Sequence, residues 1–191
     1  VEERVVLARD GSVMARHLLP QIMCSWSSLL ALLRAAFPAE RYFAGMEFSR
    51  AEQSAAGVCA RFADGAAIDA DLLIGADGIY STVRGQYWPD AKPLYAGYVA
   101  WRGMVPEAAV SRETHDAIFS LYAFCLPPGE HMLGYPITGE GGDLRPGHRR
   151  YNIVWYRRVE NDGALRRLMT DETGKHHPFG IPPGLIRAEA V

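Results

Sequence analysis

Several features that would narrow a function early are scarce or missing in this sequence. Cysteine is scarce: only Cys24, Cys59 and Cys125 occur, far apart and odd in number. None forms a Cys-x-x-Cys pair, which excludes a zinc ribbon or a dithiol redox centre. The expectation is reduced, mostly buried thiols in a cytoplasmic protein. No apolar run approaches the ~20 residues that a membrane-crossing helix requires. Charge of one sign is not in excess either, since the net formal charge is -2. Neither nucleic acid nor an anionic membrane is therefore expected as a partner. There is no His-Glu-x-x-His, Gly-x-Ser-x-Gly or P-loop pattern, so zinc peptidase, serine hydrolase and nucleotide triphosphatase readings have no support. His176 and His177 are adjacent and lack a suitably spaced third ligand, so no metal site is expected. A starting Met and a charged-then-apolar leader are both missing, and the chain is expected to begin inside a longer reading frame.

What is present reads as a mixed α/β protein with many turns. Val5-Val6-Leu7-Ala8 followed by Asp10-Gly11 predicts a strand and a turn. Leu29, Leu30, Leu32, Leu33, Ala36 and Phe37 recur at helical spacing behind Ser25 and Ser27, and Pro38 ends the pattern. Met46–Ser49 and Val58–Phe62 alternate, with a hairpin signal at Asp64-Gly65. Leu72-Leu73-Ile74 does not alternate and predicts a strand buried on both faces, as in a parallel sheet. Beyond Pro89 to Pro93 the composition turns aromatic. Tyr98–Val105, Ala117–Leu126, Met132–Ile137 and Tyr151–Arg158 predict one antiparallel sheet, and Glu160–Met169 a last helix. The expected division is an α/β part over 1–90 and a mainly antiparallel part over 91–191.

The segment that carries chemistry is Asp71-Leu72-Leu73-Ile74-Gly75-Ala76-Asp77-Gly78-Ile79-Tyr80-Ser81-Thr82-Val83-Arg84. Open α/β sheets bind ligands beyond the carboxyl ends of their strands, where Asp77 is expected. Gly75 and Gly78 would let the backbone approach a ligand. The helix entered at Ser81 would offer free N–H groups to a phosphate, with the charge of Arg84 nearby. An Asp-Gly that merely makes a turn is the plain alternative.

That stretch resembles the Asp-Gly motif of the para-hydroxybenzoate hydroxylase superfamily of FAD-dependent monooxygenases. Tyr95-Ala96-Gly97-Tyr98-Val99-Ala100-Trp101-Arg102-Gly103, Ile181-Pro182-Pro183-Gly184-Leu185-Ile186-Arg187 and Gln21-Ile22-Met23-Cys24-Ser25-Trp26 resemble its 2,6-dihydroxypyridine 3-monooxygenase branch. The resemblance implies a partial FAD-binding domain over 1–90 and a substrate-binding sheet over 91–191. It implies FAD as cofactor, NAD(P)H as cosubstrate, a small aromatic substrate and room for a homodimer. Asp77, Gly78, Ser81 and Arg84 inherit a role near the FAD pyrophosphate and in NAD(P)H handling. Gln21 falls where the family often has a polar residue near the flavin, although Ser25 and Trp26 equally serve to pack the helix. Tyr98, Trp101, Arg102 and Tyr135 are the candidates to line the substrate pocket, with sheet packing as the alternative for each.

The departures from the family pattern also carry expectations. Gly-x-Gly-x-x-Gly is absent; Gly139-Glu140-Gly141-Gly142 lacks the third glycine in register and a suitable βαβ unit. The family's Gly-Asp motif is absent as well. Without the fingerprint helix, weak or no FAD binding by this chain alone is expected. The rival to the hydroxylase reading is a catalytically incomplete homologue that binds an aromatic ligand or a partner. A third is another flavin reaction such as halogenation, against which the lack of a suitably placed Lys weighs.

Overall fold

The computed structural model describes residues 1–190. By contacts the chain divides into two compact units, Leu33–Leu94 and a second made of Val1–Leu32 with Tyr95–Val191. The junction at Leu94 lies close to the boundary read from composition. The first 32 residues, expected with the α/β part, belong to the other unit through long-range strand pairing.

The larger unit begins with a hairpin, β1 (Glu3–Leu7) and β2 (Val13–Leu18). Asp10 makes its turn by accepting from the Ser12 amide at 2.9 Å, the side-chain mimicry that favours Asp at such positions. Helix α1 (Trp26–Ala36) starts where Ser25 Oγ accepts from the Ser28 amide at 3.0 Å. Its expected register is met, yet Trp26, Leu32 and Leu33 are exposed.

The smaller unit holds a three-stranded antiparallel sheet of β3 (Phe48–Ser54), β4 (Gly57–Phe62) and β5 (Ala67–Ala70). The Asp64-Gly65 hairpin forms as expected, with Asp64 accepting from the Ala66 amide at 3.0 Å. The short helix α2 (Thr82–Tyr87) is fastened to this sheet by one side chain. Gln86 Oε1 accepts from the Ala51 amide at 2.9 Å, and its Nε2 donates to the Ala51 carbonyl at 2.5 Å.

Leu72-Leu73-Ile74 departs from expectation. The run is not a strand, and Leu72 and Ile74 are 73% and 76% exposed. The reason is pairing: among the described residues β5 ends at Ala70 and no strand forms a ladder with 71–78. An apolar run becomes a buried strand only between two partners.

The remaining elements complete the larger unit: β6 (Tyr98–Pro106), α3 (Arg112–Ile118), β7 (Tyr122–Cys125), β8 (Glu130–Ile137), β9 (Arg150–Arg158) and α4 (Gly163–Leu168). The expected strand over Ala117–Leu126 is shorter, because Ser111 caps a helix that runs to Ile118. The six-stranded sheet has the order β2-β1-β7-β8-β9-β6. It is mixed instead of purely antiparallel, since β1 lies parallel to β7 with Arg4 opposite Tyr122. Val5, Phe119 and Tyr151 are buried, and the Phe119 ring meets Tyr151 at 5.5 Å on one face.

Candidate flavin and aromatic-ligand site

Strand alternation and register sort the larger sheet into two faces. His131 and Tyr135 share a face of β8, and His131 stands opposite Tyr156 of β9. Phe124 stands opposite Leu133, so Tyr122 and Phe124 join that face. Tyr98 and Arg102 of β6 join it as well, since Ala100 stands opposite Tyr156.

The rings on this face form a continuous row. Tyr135 meets Tyr122 at 5.2 Å, Tyr122 meets Phe124 at 4.3 Å and Phe124 meets His131 at 5.9 Å. His131 then meets Tyr156 at 5.7 Å, and Tyr156 meets Tyr98 at 5.5 Å. These pairs are tilted or edge-to-face, except Phe124–His131, which is stacked. Such a row offers a planar ligand both ring faces and phenol hydroxyls. Burial pushes the Tyr122 phenol above its ordinary value, with the neighbouring Tyr135 adding to it, so it stays protonated and able to donate.

Arg4 of β1 closes one end of the row, its guanidinium 5.5 Å from the Tyr122 ring centre. Its Nη2 donates to Gln21 Oε1 at 2.7 Å. Gln21 is held by backbone bonds to Val1 in both directions, 2.9 and 3.1 Å. Its Nε2 is buried and meets no acceptor, as does Arg4 Nε.

Of the residues expected to line a substrate pocket, Tyr98, Arg102 and Tyr135 therefore share one face. Trp101 does not. Three positions from Tyr98, it points to the other face, where it meets Trp155 at 5.2 Å with Arg157 over both indoles. Trp155 Nε1 is in turn bonded to Glu130 at 3.0 Å, a packed cluster of the kind that holds a sheet together. Arg4, Tyr122, Phe124, His131 and Tyr156 were missed from sequence. The alternation Tyr122-x-Phe124 was a visible signal, but only cross-strand register joins it to His131 and Tyr156.

In the smaller unit the Asp-Gly segment is a closed turn. Asp77 accepts from Ser81 Oγ at 2.6 Å, from the Thr82 amide at 2.7 Å and from the Val83 amide at 3.2 Å. Ser81 Oγ takes the Arg84 amide at 2.9 Å. These bonds, that from Ser81 foremost, hold the Asp77 carboxyl below its ordinary value. Gly78 turns the chain at φ +77°, a conformation side chains disfavour. Arg84 folds back onto the carbonyls of Gly78 and Ile79.

The expectation of free N–H groups at this helix start is thus corrected. Thr82, Val83 and Arg84 all have their amides occupied by the motif's own side chains, and Arg84 spends its guanidinium on carbonyls. Gly78, Ser81 and Arg84 nonetheless border an open groove of about 880 Å³, with Tyr87, Trp88 and the β3–β4 turn on its other sides.

The thiols differ from expectation too. All three are free, but Cys24 is exposed and Cys59 and Cys125 are only half-buried. Among the described residues no helix is long and apolar enough to cross a membrane.

A family model described as FAD binding domain-like matches residues 95–191, which hold β6 to β9 and all of the aromatic row. The chain belongs to the FAD-binding-domain-like family. Two curated relatives of this FAD-binding-domain-like chain are monooxygenases by name. One is a 2,6-dihydroxypyridine 3-monooxygenase of Paenarthrobacter nicotinovorans, 32% identical over 82% of this chain and 38% of its own length. The other is a 3-amino-4-hydroxybenzoate 2-monooxygenase of Streptomyces cremeus, 38% identical over 63% of this chain and 29% of its own. The solved 2,6-dihydroxypyridine-3-hydroxylase of Arthrobacter nicotinovorans superposes with a TM-score of 0.80 at 29% identity, covering 93% of this chain and 44% of that one. The chain thus spans less than half the length of each of these relatives.

Proposed function

We propose that this chain is part of a FAD-dependent monooxygenase that hydroxylates an electron-rich aromatic or N-heteroaromatic ring, with NAD(P)H and O2 as cosubstrates. The observation that carries this reading is the row Tyr135-Tyr122-Phe124-His131-Tyr156-Tyr98 on one sheet face. Its relatives' names supply the substrate class: 2,6-dihydroxypyridine and 3-amino-4-hydroxybenzoate are small, electron-rich rings.

In this reading the six-stranded sheet is the substrate-facing part and residues 33–94 belong to the FAD-binding part. Tyr98 and Tyr135 stack on or donate to the substrate ring, and Arg102 supplies positive charge on the same face. The flavin, when bound, supplies electron transfer from the nicotinamide and activation of O2. The rings of the face position the substrate and keep water from it. Gln21 is assigned to the flavin side by the resemblance alone, since its unpaired Nε2 is enclosed by protein. Gly78, Ser81 and Arg84 fit a nucleotide as part of the groove wall, in a turn that Asp77 holds. The bonds they already make do not fit a phosphate cradle. We further place the protein in the cytoplasm.

The occupied amides of α2 favour one second reading, an aromatic-ligand module that does not turn over. A visible absorption titration with FAD, followed by NAD(P)H oxidation with hydroxypyridines and hydroxybenzoates, separates the two. Flavin binding with ring-dependent oxidation supports the hydroxylase. Ring binding without any flavin perturbation sinks it in favour of the module.

A further inference from the structure

Residues 71–77 lie wholly within the smaller unit and are held at both ends. Before them, Ala70 pairs with Val58 in the β4–β5 ladder. At the far end Asp77 accepts from Ser81 Oγ and from the Thr82 amide of α2. Between these anchors, a Cβ on Gly75 would lie 2.9 Å from Cβ of Val83, so glycine is what lets the run lie this close to α2. The backbone itself is open. Among the described residues, no N–H or carbonyl of 72–76 bonds to another backbone group. Exposure alternates as in a strand, with Leu72 and Ile74 exposed and Leu73 half-buried. A braced apolar run with unpaired backbone groups is a template for one more strand.

The charges say which strand fits. Leu72-Leu73-Ile74-Gly75-Ala76 is uncharged and stands between Asp71 and Asp77. No described part of this chain pairs with the run. A second copy is disfavoured by charge. In the two-fold antiparallel register that pairs all of 71–77, Asp71 faces Asp77 at both ends, and like charges directly opposite are destabilising. We propose that residues 71–77 are a vacant strand position for a different polypeptide, an apolar β-strand of matching length with a basic residue at each end. Main-chain bonds supply the affinity, and the two end charges supply the selection. This interaction goes beyond ring hydroxylation and does not depend on it.

The test adds synthetic peptides to the full 15N-labelled chain and follows amide hydrogen exchange at 72–76. The probe is Lys-Thr-Val-Ile-Val-Thr-Lys. One control carries Pro in place of the central Ile, which removes a donor, and another carries Asp at both ends. In the dilute chain alone these amides are expected to exchange freely. The lysine-ended peptide at millimolar concentration is expected to slow them about tenfold or more. The Pro peptide leaves them fast, and the Asp-ended peptide slows them less. Asp71→Lys, at an exposed position, is expected to remove the preference for the lysine-ended peptide. No slowing by that peptide overturns the proposal. Equal slowing by the Pro peptide shows adhesion without strand pairing and overturns it as well. A preference that survives Asp71→Lys overturns the charge-selected partner. Slow amides in the dilute chain, or slowing that rises with chain concentration alone, assign the run to this chain or to a second copy and also overturn it. None of these outcomes bears on the ring-binding reading, which the FAD titration tests separately.

Discussion

At the scale of single residues, two carboxylates show how local order is held. Glu107 is 5% exposed and accepts from Arg149 Nη2 at 2.6 Å, Arg149 Nε at 2.9 Å and His115 Nε2 at 2.9 Å. The Arg149 guanidinium first, then His115, bring its carboxyl down to about 2 from an ordinary 4.5. A depressed carboxylate contributes stability that is complete above its unfolded value and fades as pH falls toward the folded one. Thermal stability is therefore expected to drop between pH 4.5 and 2, and Glu107→Gln to flatten that slope. Removing this charge should also cost about 1.5–3 kcal/mol at neutral pH, the range for hydrogen bonds to charged groups. Urea unfolding at two pH values checks both. Asp77 behaves alike in sign but is exposed, and its effect is local. Asp77→Ala is expected to raise amide exchange at Thr82 and Val83, while Asp77→Asn, which keeps one acceptor oxygen, does so less. Equal protection in wild type and Asp77→Ala would show that the motif's aspartate does not hold the turn.

At the scale of elements, the sheet is keyed by one small residue. A Cβ on Gly134 of β8 would lie 2.5 Å from Cε1 of Tyr151. That ring is buried and backed by Phe119, so it has no room to retreat. Gly134→Ala is expected to lower stability by about 1–3 kcal/mol through overpacking, read as a lower unfolding midpoint. An unchanged midpoint would mean that the β8–β9 pairing tolerates a shift. Strand β6 shows what alternation alone left open. Tyr98, Trp101 and Arg102 were picked as a group from one strand, yet a spacing of three puts Trp101 on the opposite face from Tyr98. Trp101→Phe is accordingly expected to alter the packing around Trp155 and Arg157 and to leave ring binding unchanged. Tyr98→Ala, in contrast, should weaken ring binding with little loss of stability. Tryptophan fluorescence and ligand titration on the two variants distinguish these outcomes.

At the scale of the whole molecule, the exposed apolar surface is extensive. Ile22 and Leu94 are 95% and 92% exposed, and Trp26, Leu72 and Ile74 each more than 70%. Surfaces of this kind mark association sites. The chain by itself is expected to bind a hydrophobic dye such as ANS in its native state and to self-associate as concentration rises. Light scattering and dye fluorescence measure both, and a monodisperse monomer without dye binding would contradict the expectation.

The sequence by itself determined what depends on neighbours along the chain. Helix α1 follows from leucines at helical spacing behind a serine cap, and the turns at Asp10 and Asp64 from side chains that bond their own backbone. The Asp77–Arg84 segment was legible as a turn leading into a helix because its residue types sit at fixed offsets along the chain. Tertiary structure decided everything that needs partners distant in sequence. Only the pairing of β1 with β7 places Arg4 beside Tyr122, and only register across β7, β8, β9 and β6 lines up the aromatic row. Only the absence of a ladder partner among the described residues leaves Leu72 and Ile74 exposed in spite of a composition suited to a buried strand. The amides of Thr82, Val83 and Arg84 look available in the sequence. They are closed by Asp77 and Ser81, which stand close by along the chain and bond them.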